Sequence, residues 1–464
     1  MRNIVLVIIT ILTTGFALNA QSTFETDGIC YRIIKEADES STFGIVYVTA
    51  REGQDYEGDI VIPNGVKNGT GEFADNYKVT GIDKLAFQDN VLLTSVKCGP
   101  SIEYIGQHAF MGCTNLQEVV IPKGNLREIG ELAFAISGIR KIDIPTSVTC
   151  IRKCAFISCQ NLEAVNLPSS LKSIEMMAFD GCRSLKEVTI PEGVTKIATC
   201  TFNQCVSLTK VVLPSKLTSI ANMAFNYCIS LNEINLPQSL KFIGANAFAG
   251  CSSMTTIILP EGITEIANGL FLSCVSLVHI EIPINVTSIK SDAFKYCKSL
   301  TNINIPQGVS KIAERTFYGC NSLKEIEIPQ WITDIEAEAF SECKELQVVR
   351  IRDGVRHIGE EAFSNCTSLK EVYLPKTLET LREKTFNYCS SLETIEIPEG
   401  ITTIENKVFY RCNNLKSVFI PSSVSTIDSN AFMGCKLLKE IITDNASEAI
   451  SDFIKDKSIL IKLK

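Results

Sequence analysis

A phenylalanine returns at almost constant spacing along most of this chain. It stands at Phe87, Phe110, Phe134, Phe156, Phe179, Phe202, Phe225 and Phe248, and continues at Phe271, Phe294, Phe317, Phe340, Phe363, Phe386, Phe409 and Phe432. These sixteen markers are on average 23 residues apart. Two steps deviate, 24 and then 22, and they cancel. The extra residue lies near Gly124 and Asn125, and the missing one just after Phe134. Each unit follows L-x-x-I-x-x-x-A-F-x-x-C-x-x-L-x-x-I-x-I-P, as in AFNYCISLNEINLP (224–237). One such unit cannot bury its own apolar side. A stack of units can, so the period dictates an array rather than a globule.

Inside a unit, Ile234-Asn235-Leu236 alternates apolar and polar, which predicts a strand with one buried face. A second extended piece is expected at Leu217–Ile220. The A-F-x-x-C-x-x-L segment spaces its apolar residues by about three, which predicts a helical turn. The expected class is therefore an α+β repeat solenoid of sixteen units. Thirteen of the fifteen prolines end a strand, from Pro122 to Pro421. There the missing N–H does little harm and the fixed φ turns the chain out of the sheet. Arg352 stands where the series calls for proline, so a different turn is expected there.

Fourteen of the nineteen cysteines follow the marker by three residues. They are Cys113, Cys159, Cys182, Cys205, Cys228, Cys251, Cys274, Cys297, Cys320, Cys343, Cys366, Cys389, Cys412 and Cys435. Stacking would place these sulfurs in a line, about 4.8 Å apart. A free cysteine in such a place behaves as a small buried hydrophobe. Disulfides between neighbouring rungs are compatible with that separation, but side chains in a ladder point in parallel and an odd total leaves one thiol over. Zinc needs ligands around a point, and a ladder is a line. The tightest group, Cys150, Cys154 and Cys159, shares a member with the ladder. Cys98 takes a buried strand position, Cys154 and Cys200 lie two rungs apart, and Cys30 has no assignable partner. So many reduced thiols in an exported chain fit an oxygen-free habitat better than an oxidising one.

Export is expected from residues 1–20, where Arg2 precedes an apolar run from Ile4 to Ala17 and Ala20 suits a cleavage site. The run is shorter than a membrane span requires. No cysteine follows the expected cut and no second run of spanning length occurs, so lipid attachment and a retained membrane segment are not expected. Residues 21–80 lack the repeat and are expected to form a β-rich N-terminal cap; 81–443 hold the repeats. Residues 444–464 are expected to form a cap with a helix from Asp444 to near Lys457 and a short strand after it. The net charge of −8 and pI near 5.3 offer no broad basic surface, which argues against nucleic acid and anionic membranes as partners.

With these residues in place, the chain resembles the BspA-type leucine-rich repeats. The likeness rests on units such as LPQSLKFIGANAFAGCSSMTTIILP (236–260) and covers residues 81 to about 443. The segments DGICYRI (27–33) and GDIVIP (58–63) look like the β-rich cap that opens many of these proteins. The resemblance implies a curved solenoid with a strand-lined concave face. It also implies a secreted or surface location, and adhesion to host matrix proteins or other microbes, as several members of the family do.

Little points to catalysis. His108, His279 and His357 fall at three different repeat positions, and no G-x-S-x-G, P-loop or H-E-x-x-H occurs. A non-enzymatic protein without cofactor or metal is expected. The outward strand positions are more informative. Two rows of them carry ten acids against four bases, with Tyr373 and Phe419 among the charges. Glu281, Glu327, Tyr373, Glu396 and Phe419 are the candidate contact residues, since exposed aromatics anchor interfaces. The expected function is an exported, adhesin-like binder of a protein or glycan on host or microbial surfaces. The alternatives are an envelope scaffold without a host partner, or a glycan binder or hydrolase inhibitor.

Overall fold

A computed structural model describes residues 22–38, 41–69, 75–444, 450–451 and 459–463. The expected signal peptide lies outside these residues. Each 23-residue unit makes one circuit of a solenoid with three sides. The first side is a long parallel ladder. Gly58–Val61, Leu93–Lys97, Glu118–Val120, Lys141–Asp143 and Ala164–Asn166 pair in chain order. The same side continues through such pairs as Glu187–Thr189 with Lys210–Val212, and Thr256–Ile258 with His279–Glu281. Farther along come Glu325–Ile328, Val348–Ile351 and Glu371–Tyr373, then Thr394–Glu396, Ser417–Phe419 and Glu440–Thr443. The second side is a ladder of two-residue strands such as Cys150–Ile151, Ser173–Ile174 and Lys196–Ile197.

The third side overturns the α+β class. The A-F-x-x-C segment is not helical, because from Phe87 to Phe409 the residues two before and two after each marker phenylalanine take positive φ. His108 (57°) and Gly112 (75°) flank Phe110, and Met223 (56°) and Tyr227 (55°) flank Phe225. Left-handed residues at that interval stop a right-handed helix. They also turn alternate N–H groups toward the next rung: Leu85, Phe87 and Asp89 donate to the carbonyls of Gln107, Ala109 and Met111 at 3.1, 2.8 and 2.7 Å. The N–H groups between them, on Ala86, Gln88 and Asn90, close local turns to Asp83, Leu85 and Phe87. The segment is thus a third ladder made of turns, and the fold is a β-solenoid of about sixteen coils. The helical cap expected from Asp444 to near Lys457 is not among the described elements: of that stretch past Asp444, only Ile450 and Ser451 are described, and the rest lies outside the described residues.

Positive φ costs a non-glycine residue roughly 1–2 kcal/mol, and β-branched residues tolerate it worst. Ile136 carries this strain at φ 57° with 46% of its surface exposed. Ile136→Gly is therefore expected to stabilise the chain by about 1 kcal/mol in denaturant unfolding. Five other rungs already use glycine at the same position: Gly112, Gly181, Gly250, Gly319 and Gly434.

The core is a column. The sixteen phenylalanine rings stack along it with centroids 5.0–6.0 Å apart and planes within 17° of parallel. Tyr56 closes its first end, 4.8 Å from Phe87, and donates its hydroxyl to the Thr49 carbonyl at 2.6 Å. Beside the rings run the thiols. Each of the fourteen ladder cysteines donates its S–H to the carbonyl of the preceding rung's phenylalanine, as Cys228 does to Phe202 at 3.2 Å. The same carbonyl also accepts the N–H of its own rung's cysteine, as from Cys205 at 3.2 Å. The cysteine is therefore a filler that also ties one rung to the next. All nineteen thiols are free.

The prolines act as corners. The carbonyls of Pro145, Pro168 and Pro191 accept the N–H three residues on, at 3.0, 3.1 and 3.0 Å. Where Arg352 replaces proline, its N–H donates to the Ile328 carbonyl at 3.0 Å, a bond proline could not make.

At the N-terminal end, Asp75–Ile82 pairs with Gly44–Val48 and Gly65–Asn68 and leads into the short ladder at Tyr104–Ile105. Thr23–Thr26 and Ile29–Lys35 complete that sheet. At the other end, Leu460–Leu463 adds a parallel strand to Glu440–Thr443. The N-terminal sheet thus continues into the short ladder, and the last strand extends the long one.

Candidate binding face

Alternation in the long ladder sends every second residue outward. Ile326, Val349 and Ile395 are buried, so Glu327, Arg350 and Glu396 face out. Parallel pairing without slippage then aligns equal repeat positions into columns. Glu327 lies opposite Arg350, and Arg350 opposite Tyr373. Farther on, Glu396 lies opposite Phe419, and Phe419 opposite Ile442. Glu281, at the same repeat position, lies opposite Ile258. The candidate residues therefore share one column, with one rung, that of Asn304, between Glu281 and Glu327.

Tyr373 is its most distinctive member. Its ring is 52% exposed. The Arg350 guanidinium sits over it at 5.4 Å, and its hydroxyl donates to Glu371 at 2.9 Å. That carboxylate pushes the phenol's pKa up, so the hydroxyl stays protonated. The ring is thus held upright between two charges. Phe419 is half-buried, while Glu281, Glu327 and Glu396 are exposed.

Two features of the face were hidden in the sequence. The first is charge pairing. Arg352, from the position left by the missing proline, reaches Glu327 at 2.8 Å. Lys462 reaches Glu440 at 2.7 Å, and Arg350 lies 3.6 Å from Glu325. Arg352 and Lys462 stand outside the two rows that were counted, so ten acids face six bases rather than four. The second is apolar: Val61, Val120, Val212 and Ile258 are exposed along the same column as Tyr373. Their signal was an apolar residue where the strand alternation asks for a polar one.

The rest of the molecule offers little chemistry. His108 lies on the turn ladder, where burial pushes its pKa down. His279 lies on the long ladder, 3.8 Å from Glu281, and His357 on the short one, opposite Asp334. The structure does not bring them together. Burial drives the thiols of Cys113, Cys159, Cys274 and Cys343 up to about 12, which removes the thiolate that nucleophilic or metal chemistry needs. Among the described residues, no three His, Cys, Asp or Glu side chains are grouped to hold a metal ion. No helix among them is long and apolar enough to cross a membrane. Trp331 is half-buried, packs on the core and donates its indole N–H to the Pro306 carbonyl at 3.1 Å.

The comparisons with known proteins agree with this architecture. A family model described as "BspA type Leucine rich repeat region" matches residues 80–209, 195–324 and 310–439. A leucine-rich repeat protein from Bacteroides ovatus is 25% identical, with 95% of this chain and 99% of that chain covered and a TM-score of 0.53. A leucine rich cell surface protein from Faecalibacterium prausnitzii is 28% identical, covers 96% of this chain and 100% of its own, and gives a TM-score of 0.38. No curated protein matches.

Proposed function

Because this chain belongs to the BspA-type leucine-rich repeat family, we propose that it is an exported or cell-surface binding protein, adhesin-like, that engages a protein on a host or microbial surface through its long ladder. The observation that carries this reading is the exposed Tyr373, fixed between Arg350 and Glu371 in a column with Glu327, Glu396 and Phe419. A rigid aromatic costs little entropy to immobilise, and aromatics beside arginine are the usual anchors of interfaces. The apolar side chains of the same column add area that a partner could cover.

The test is a binding panel. The chain is probed against extracellular-matrix proteins, mucins and bacterial surface polysaccharides beside a Tyr373→Ala/Phe419→Ala variant. The expected outcome is a protein partner whose affinity falls at least tenfold in the variant, with the melting temperature unchanged. A partner bound equally by both forms moves the site off this face. No partner in the panel moves the function to an envelope scaffold.

A further inference from the structure

The array has one shortened unit, and it sits where a cavity opens. Between Phe134 and Phe156 the step is 22 residues. Pairing of Lys141 with Glu118 and with Ala164 locates the deletion in the turn before that strand. Other units place two residues there, such as Thr114-Asn115 and Gln160-Asn161, and this unit places Gly138 alone. Gly138 lies flush against the neighbouring rung and donates its N–H to the Cys113 carbonyl at 3.0 Å. A Cβ on it would stand 2.1 Å from the Thr114 carbonyl oxygen, so only glycine fits. Two more departures fall on the same rung: Ser137 replaces the ladder cysteine, and the β-branched Ile136 occupies a position whose φ is positive on every rung.

The missing residue leaves a notch of about 350 Å³ between the turns on either side. Asn115, Gln117, Arg140, Asn161, Glu163 and Ser184 supply its walls. Glu163 is fixed between rungs, 2.5 Å from Arg140 and 3.4 Å from Lys186. Those cations hold its carboxyl below the usual range. The volume is at the small end of ligand sites, but the lining is unlike theirs, which is mostly apolar. Here amides and a hydroxyl prevail, each offering both a donor and an acceptor. Vicinal sugar hydroxyls need that combination. An apolar ligand would find little to cover, and with Arg140 paired to Glu163 the wall carries no net charge to select an ion.

We propose that this notch binds a neutral, hydroxyl-rich carbohydrate unit, at a site separate from the Tyr373 face. The test is saturation-transfer NMR on the whole chain with free neutral hexoses and N-acetylhexosamines at millimolar concentration, followed by titration of any that bind. One variant inserts an asparagine between Gly138 and Ile139 and so restores the two-residue turn. A second, Asn161→Ala, removes a wall without altering the turn and replaces the first if the insertion does not fold. The expected result is saturation transfer to at least one sugar, with affinity at least tenfold weaker in the notch variant and unchanged in Tyr373→Ala. Unchanged affinity in the notch variant, or no transfer to any of these sugars, overturns the proposal.

Discussion

Raising the pH from 8 to 10 is expected to unfold the array in one steep step that releases more than ten thiol protons. Burial raises the ladder thiols: Cys113, Cys159, Cys274 and Cys343 to about 12, and Cys182, Cys228, Cys251 and Cys297 well above the ordinary value. An unfolded thiol ionises near 8.5. A group whose folded pKa is raised contributes stability fully below its unfolded pKa. That contribution is lost as pH climbs toward the folded value, because only the unfolded chain gives up the proton. The loss is about 1.4 kcal/mol per thiol for each pH unit above the unfolded value. A dozen such thiols give on the order of 15 kcal/mol per pH unit, as much as the whole stability of an ordinary domain. Far-UV circular dichroism and thiolate absorbance, followed together, should show loss of strand and appearance of thiolate at one midpoint. Replacing Cys228, Cys251 and Cys274 by alanine should lower the number of protons released in that step by about three. Thiolate appearing gradually from pH 9 with the strands intact would contradict the buried ladder.

Phe248→Ala is expected to cost 3–5 kcal/mol and to split thermal unfolding into two steps. Phe248 has no exposed surface and stacks on Phe225 at 5.6 Å and on Phe271 at 6.0 Å. The substitution loses the burial of a ring, leaves a cavity and removes two stacking contacts, each worth about 0.5–1.5 kcal/mol beyond area. A solenoid couples only neighbouring rungs, so its stability is close to a sum of units and interfaces. Weakening one central interface lets the two parts melt separately. Ile258→Ala is the control: it lies only ten residues on but is 60% exposed, and should change stability by less than about 0.5 kcal/mol. A single sharp transition in Phe248→Ala, shifted as little as in Ile258→Ala, would contradict the stacked column.

The sequence made the array legible because its units bury their side chains alike. The Phe, Cys and Pro positions are repeated, so their count and spacing could be read directly. The turn ladder was not legible. A-F-x-x-C has helical spacing, and the positions two before and two after the phenylalanine hold residues as different as Leu85, His108, Cys154, Met177 and Tyr227. Glycine marks only some of them. What fixes their left-handed backbone is hydrogen bonding to the next rung, which a single unit does not contain. The candidate column was legible from strand alternation. Its charge balance was not, because Arg352 and Lys462 reach it from outside the rows being counted. The short step after Phe134 was plain in the spacing, but only the packing of Gly138 on Thr114 turned it into a notch.

The most direct test of the binding face is carboxylate footprinting. The chain would be labelled with a carbodiimide and an amine, alone and saturated with a protein partner from the panel. The account predicts that Glu281, Glu327, Glu371 or Glu396 on the long ladder lose reactivity in the complex, with the strongest protection beside Tyr373. Glu265 and Glu336, on and beside the short ladder, should label equally in both states. Protection confined to Glu265 and Glu336, with the long-ladder carboxylates unchanged, would contradict it.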